Sequence, residues 1–198
     1  MRIVGGIWGG RRLQEPEGRD TTRPTTDRVR EACASMLDAN LPDGLEGARV
    51  LDAFAGSGAM GLEMVSRGAA SATFFEIDRR ASRVVQENVR ALDAHGLHCK
   101  VVVGDVLLAA ERGRVPGGPF DVVLLDPPYA FGEEPVEHLL KNLALHGALV
   151  RGALIVFEHD RQTHGITLGS FESVREKHYG KIAVDLVRFN PARTTAQE

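Results

Sequence analysis

Apolar positions fall in short, dense runs separated by stretches with helical spacing. "RVLDAF" (49–54), "ATFFEI" (72–77), "KVVVGD" (100–105), "DVVLLD" (121–126) and "ALIVFE" (153–158) are nearly continuous apolar runs, the pattern of strands covered on both faces. Between the second and third runs, "RRASRVVQENVRALDAHG" (79–96) places Val85, Val89 and Leu92 on one helical face, with Gly96 as a stop. "EPVEHLLKNLALHG" (134–147) repeats that pattern between the fourth and fifth runs. Strands alternating with helices imply crossover connections and a mostly parallel sheet with helices on both faces.

The two ends of the chain differ from this rhythm. "SVREKHYGKIAVDLVRF" holds two strand-like runs about a turn at Tyr179–Gly180–Lys181, which predicts an antiparallel hairpin on the sheet edge and brings the strands to seven. Near the start, "RPTTDRVREACASML" predicts a helix capped by Thr25 or Thr26, with Asp27 in its first turn and Val29, Cys33, Met36 and Leu37 on its apolar face. Residues 1–14, with paired glycines and Trp8, suggest a small hairpin, and the tail "NPARTTAQE" reads as disordered. The expected organisation is a basic hairpin-and-helix extension over 1–40, an α/β domain over 41–190 and a free tail over 191–198.

Charge adds one asymmetry. The chain of 198 residues carries a net charge of −3, yet residues 1–30 hold seven arginines against four acids, a local +3. A basic arm on an acidic body suggests a polyanion met at one edge, unless the arm is simply solvated. The two cysteines, Cys33 and Cys99, have no disulfide or metal-like spacing, which suggests a reducing compartment. No apolar run is long enough for a membrane span and the start lacks a signal-peptide core, so a soluble, cytoplasmic protein is expected.

The first predicted strand runs into "LDAFAGSGAMG", where Gly56, Gly58 and Gly61 fit G-x-G-x-x-G and Glu76 follows Gly56 by twenty residues. That spacing also suits a dinucleotide site, with the acid on ribose hydroxyls. Asp52 shifts the balance, since a carboxylate four residues before the glycines can hold an ammonium group, which adenosylmethionine has and NAD lacks. Asp105, after Gly104, is placed to accept from an adenine amino group. "DPPY" (126–129) ends the fourth strand with a carboxylate, an exposed prolyl carbonyl and a ring. Asp126 and Pro127 can accept hydrogen bonds from an aromatic amine and localise its lone pair, while Tyr129 stacks on a base turned out of its helix. No covalent nucleophile is then needed. "AHGLHCK" (94–100) groups His95, His98 and Cys99 but reads as a loop rather than a metal site. His159 and His164 could touch substrate, although the transfer requires no histidine base.

These motifs together resemble the class I adenosylmethionine-dependent methyltransferases that modify exocyclic amines. "RIVGGIWGGRRL", "RPTTDRVRE", "FAGSGAMGLEMVSRGA" and "REKHYGKIAVDL" are similar in particular to the bacterial 16S rRNA guanine-N2 methyltransferase family, from Arg2 to about Phe189. One departure is "WGGRRL", where a further basic residue is expected in place of a glycine. The resemblance implies a Rossmann-like fold and methyl transfer from S-adenosyl-L-methionine to N2 of one guanine of 16S rRNA in the assembled small subunit; no metal is expected, and nothing in the sequence demands more than a monomer. It places the cofactor on Asp52, Phe54, Gly56, Ser57, Gly58, Glu76, Ile77, Asp105 and Val106, with Thr25 at the mouth. It places the guanine on Asp126, Pro127, Pro128 and Tyr129, and RNA on Arg11, Arg12, Arg23 and Arg28. An enzyme acting on DNA adenine or a protein amide, an NAD-binding module and a catalytically silent assembly factor remain as alternatives.

Overall fold

The computed structural model describes residues 1–16, 26–93, 98–128 and 132–191. Seven strands form one sheet in the order β3-β2-β1-β4-β5-β7-β6. β1 (Arg49–Asp52), β2 (Ser71–Glu76), β3 (Cys99–Val103), β4 (Phe120–Leu125) and the first part of β5 (Leu149–Asp160) pair in parallel. β6 (Phe171–Tyr179) and β7 (Ile182–Phe189) form the expected hairpin, which joins β5 antiparallel with Glu158 opposite Val184. The fold class is therefore α/β with a mostly parallel seven-stranded sheet, as the apolar runs predict.

Alternate side chains of each strand feed one of two cores. Val50, Phe74, Leu124 and Val156 pack beneath α1 (Asp27–Asn40), α2 (Ala59–Ser66) and α3 (Arg79–Leu92). Leu51, Phe75, Leu125 and Phe157 pack on the opposite face with α4 (Val106–Glu111) and α5 (Glu134–Leu145). α4 is absent from the sequence reading. Its six residues, "VLLAAE", are too few for a helical period to stand out, and its start is set by Asp105, whose carboxylate accepts from Leu107 N–H at 2.8 Å.

Thr26 caps α1, accepting from Val29 N–H, and Val29, Cys33, Met36 and Leu37 are all buried as their spacing predicts. Thr25 lies outside the described residues, as does Gly96; α3 ends at Leu92, where Asp93 N–H reaches Val89 O at 2.7 Å. Residues 1–14 do form a small hairpin, closed by an Arg2–Arg12 bridge around a 3-10 turn at Gly6–Trp8. This hairpin is fastened to the main body. The wholly buried Glu63 of α2 accepts from Val4 N–H at 2.7 Å and Gly5 N–H at 2.8 Å, and Ile3 and Leu13 join the α1–α3 core.

Candidate active site

A cavity of about 470 Å³ opens at the carboxyl edge of the parallel strands, where open α/β sheets take their ligands. Its floor begins with the turn after β1. Gly56 and Gly58 have φ of 58° and 79°, a left-handed backbone that glycine adopts without strain, and Gly58 N–H closes the turn on Ala55 O at 2.7 Å. The third glycine has a packing role: a Cβ on Gly61 would lie 2.4 Å from Phe74 Cε1, so only glycine lets α2 rest this close on β2. Asn88 of α3 supports the turn from behind, donating to Ser57 O at 2.9 Å and Gln14 O at 3.0 Å.

Carboxylates then line the edge of the sheet. Asp105 follows β3, Glu76 ends β2, Asp52 ends β1 and Asp126 follows β4, and all four border the cavity. The backbone amides of the glycine turn and of α2 already face these acids. Glu76 accepts from Gly56 N–H at 2.8 Å and Asp78 N–H at 2.9 Å, and Asp52 accepts from Gly61 N–H at 3.0 Å. A pyrophosphate would need those same amides and would meet the carboxylates' charge. A cation has no such conflict. Burial pushes the Asp52 carboxyl up to about 7; the Gly61 N–H opposes that, and the charges of Asp126 and Glu76 add to it.

Of the residues predicted to hold cofactor, Asp52, Phe54, Gly56, Ser57, Glu76, Ile77, Asp105 and Val106 all border this cavity. Gly58 does not, and shapes the turn and the start of α2 instead. Asp126, Pro127 and Pro128 border the cavity, whereas Tyr129 lies outside the described residues. Of the predicted RNA-facing arginines, Arg11 donates to Ala91 O at 2.9 Å near the end of α3. Arg12 is exposed on the hairpin, Arg28 stacks 5.9 Å above the Tyr179 ring, and Arg23 lies outside the described residues.

The histidines and cysteines stand elsewhere. His159 points to Asp185, 3.2 Å away, and stacks on Phe157; His164 meets Glu133 through its backbone; neither borders the cavity. His98 Nδ1 lies 3.0 Å from Ala70 O, and Asp93 accepts from the backbone N–H groups of His98 and Cys99. Burial, with Asp93 alongside, pushes the Cys99 thiol up to about 12.

Sequence reasoning missed part of the wall. Met1, Glu15 and Pro16 of the hairpin, Arg30 of α1 and Glu158 of β5 also border the cavity. Glu158 had a visible signal, since it closes the predicted strand "ALIVFE" at the same edge as the other acids. Arg30 had none, because its helical position gives no hint that only 1% of it is exposed.

Comparison with known proteins agrees with this geometry. The family model described as Conserved hypothetical protein 95 matches residues 1–188. The chain is 38% identical over 188 residues to Ribosomal RNA small subunit methyltransferase D of Escherichia coli, covering 94% of this chain and 88% of the relative. It is 33% identical over 189 residues to Putative rRNA methyltransferase YlbH of Bacillus subtilis, covering 95% and 98%. Among solved structures, Putative methyltransferase yhhF from Escherichia coli superposes with a TM-score of 0.78 at 36% identity, covering 96% of this chain and 98% of that one. The donor set fits S-adenosyl-L-methionine: carboxylates at Asp52 and Glu76 suit its ammonium and ribose hydroxyls. With its hairpin, glycine turn and strand-end acids inside the matched residues, the chain belongs to the family described as Conserved hypothetical protein 95 and has the fold of the class I methyltransferases.

Proposed function

We propose that this protein methylates the exocyclic N2 of one guanine in 16S rRNA of the assembled small ribosomal subunit. The observation that carries the reading is the continuity of the cavity, from the glycine turn and Asp52 at one end to Asp126 and Pro127 at the other. The name of the Escherichia coli relative, a small-subunit ribosomal RNA methyltransferase, supports the acceptor.

Adenosylmethionine supplies the methyl group and, as a sulfonium, its electrophilic character. The chain's residues supply position. Asp52 holds the ammonium and Glu76 the ribose, fixing the donor above the glycine turn. Asp126 carboxylate and the Pro127 carbonyl accept from the two N–H bonds of the guanine amine and turn its lone pair towards the methyl group. A donor held this way would give up its methyl group to the amine nitrogen, leaving the neutral thioether, and Asp126 would take the proton that nitrogen sheds. Alignment of this kind can supply about 7–11 kcal/mol, so no strong base is required.

RNA contact would involve more than the N-terminal arginines. Arg79, Arg80, Arg83 and Arg90 are exposed on α3, which begins at the cavity rim and ends beside Arg11. On a chain with net charge −3, this face offers cationic positions over about 17 Å, enough for two or three phosphates. Arg12, Arg23 and Arg28 would extend the contact.

The test is transfer from isotope-labelled adenosylmethionine to small subunits lacking the modification, beside naked 16S rRNA and duplex DNA, with nucleoside mass spectrometry. N2-methylguanosine from particles is the expected product. Label in DNA adenine or in protein alone would overturn the proposal. Asp126→Ala should bind cofactor normally and transfer about 100- to 1,000-fold more slowly.

A further inference from the structure

The acceptor end of the cavity holds more than the DPPY segment. The last parallel pair between β4 and β5 is Leu125 with Phe157, so Asp126 and Glu158 stand level on adjoining strands. Neighbouring strands lie about 4.8 Å apart. Strand alternation sends Glu158 to the same face as Val156, and Asp126 to the same face as Leu124, both on the α1 side of the sheet. Glu158 is 4% exposed and Arg30, which reaches in from α1, is 1% exposed; both border the cavity. Arg30 is steadied by Asp27 at 2.5 Å and by Arg2 O at 2.9 Å.

We infer that Glu158, beside Asp126, selects guanine over adenine by accepting the ring N1–H of the target base, with Arg30 donating to O6. The inference rests on the guanine-N2 reading above and specifies how that base is chosen. Along its Watson–Crick edge guanine presents an amino group, then N1–H, then O6: donor, donor, acceptor. Two adjacent carboxylates with a guanidinium on the wall of the same cavity can meet that edge as acceptor, acceptor, donor. Adenine offers its amino group beside N1, which bears a lone pair. A carboxylate opposite that lone pair leaves two acceptors facing each other in a site shielded from water. Sites of this kind reject the mismatched ligand strongly, because buried polar groups are left unpaired. The row of acids thus has two jobs: the Asp52 half meets a cation, and the Glu158 half reads hydrogen-bond donors.

The experiment uses small subunits reconstituted with 16S rRNA carrying guanine or 2-aminopurine at the target nucleotide. 2-Aminopurine keeps the reacting amine but has a lone pair at N1. Wild-type protein should favour guanine by at least about 100-fold in kcat/KM. Glu158→Gln, whose amide can donate to that lone pair, should lose rate on guanine, gain on 2-aminopurine and bring the two within about tenfold. Its affinity for adenosylhomocysteine should match the wild type, which also reports that the variant is folded. If the wild type methylates both bases equally, the inference is overturned whatever the variant does. The same ratio in both proteins also overturns it while leaving the guanine reading intact. No transfer to guanine by the wild type would overturn both.

Discussion

Replacing Asp52 with asparagine keeps the shape of the side chain and an oxygen for Gly61 N–H, while removing a buried charge. In the free protein burial raises the Asp52 carboxyl from 3.8 to about 7. At about 1.4 kcal/mol per pH unit, ionising it in the folded state costs up to about 4 kcal/mol more than in the unfolded chain. The sign follows from the direction. A carboxyl raised on folding gives the folded state an advantage below the unfolded value, and that advantage drains away as pH rises to about 7. The asparagine variant never ionises, so it should gain on the wild type between about pH 4 and pH 7 and hold a constant lead above that. For a chain of this size about 4 kcal/mol corresponds to roughly 8–16 °C in Tm, an upper bound on the expected lead at pH 8.

Thermal unfolding of both proteins without cofactor, from about pH 5 to pH 8, measures this directly. Repeating it with saturating adenosylmethionine should narrow the variant's lead by about 1.4–2.7 kcal/mol, the worth of a 10- to 100-fold weaker affinity. The cation is a reason for the carboxylate to be there, and loss of one charge-assisted contact should weaken binding about 10- to 100-fold. Wild-type affinity should itself rise with pH up to about 7, because binding expels the Asp52 proton. A variant that melts at or below the wild-type temperature at pH 8, or that binds cofactor equally well, would refute the account of Asp52 as a destabilising group retained for a cation.

Three further outcomes follow from the structure. Gly61→Ala puts a methyl group 2.4 Å from Phe74 Cε1 and should cost about 1–3 kcal/mol, read as a lower Tm with α2 displaced from β2. Arg83→Ala with Arg90→Ala should leave cofactor affinity unchanged but reduce the slope of log affinity for the particle against log salt by about 1.4, two lost phosphates at about 0.7 each. Burial lowers the His159 pKa, but the Asp185 carboxylate, 3.2 Å from Nε2, outweighs it and the net direction is up. The stabilisation from that pair is present below about 6.5 and lost at higher pH, so Asp185→Asn should destabilise the fold more at pH 6 than at pH 9, by chemical denaturation.

Much of this architecture is legible in the chain because each parallel strand is an unbroken apolar run that ends in a marked residue. Asp52, Glu76, Asp105 and Asp126 are each visible that way, and each borders the cavity. The residues that escape are those whose placement depends on distant contacts. Met1 and Glu15 reach the cavity only because Glu63 and Asn88 hold the hairpin against α2 and α3. Arg30 reaches it only because α1 packs its polar first turn beside β5. Neither fact leaves a periodic trace. α4 escapes for a simpler reason, being less than two turns long.

Glu158 shows why the order of strands matters more than the order of residues. Along the chain the acids run 52, 76, 105, 126, 158, with those proposed to hold the methyl donor first and those proposed to hold the acceptor last. In the sheet they run Asp105, Glu76, Asp52, Asp126, Glu158, because β1 lies in the middle and the chain builds outwards on both sides of it. That reversal sets Asp52 beside Asp126 although seventy-four residues separate them, and it is the junction across which a methyl group would pass. Like charges placed side by side repel; burial does most to raise the Asp52 carboxyl, and the charges of Asp126 and Glu76 add to it in the free protein. The cost falls when a cation covers one half of the row and N–H donors cover the other. Each ligand then relieves part of the repulsion that the other would feel. Cofactor bound at Asp52 should therefore favour entry of a base edge rich in donors at Asp126 and Glu158, and hinder one that carries a lone pair.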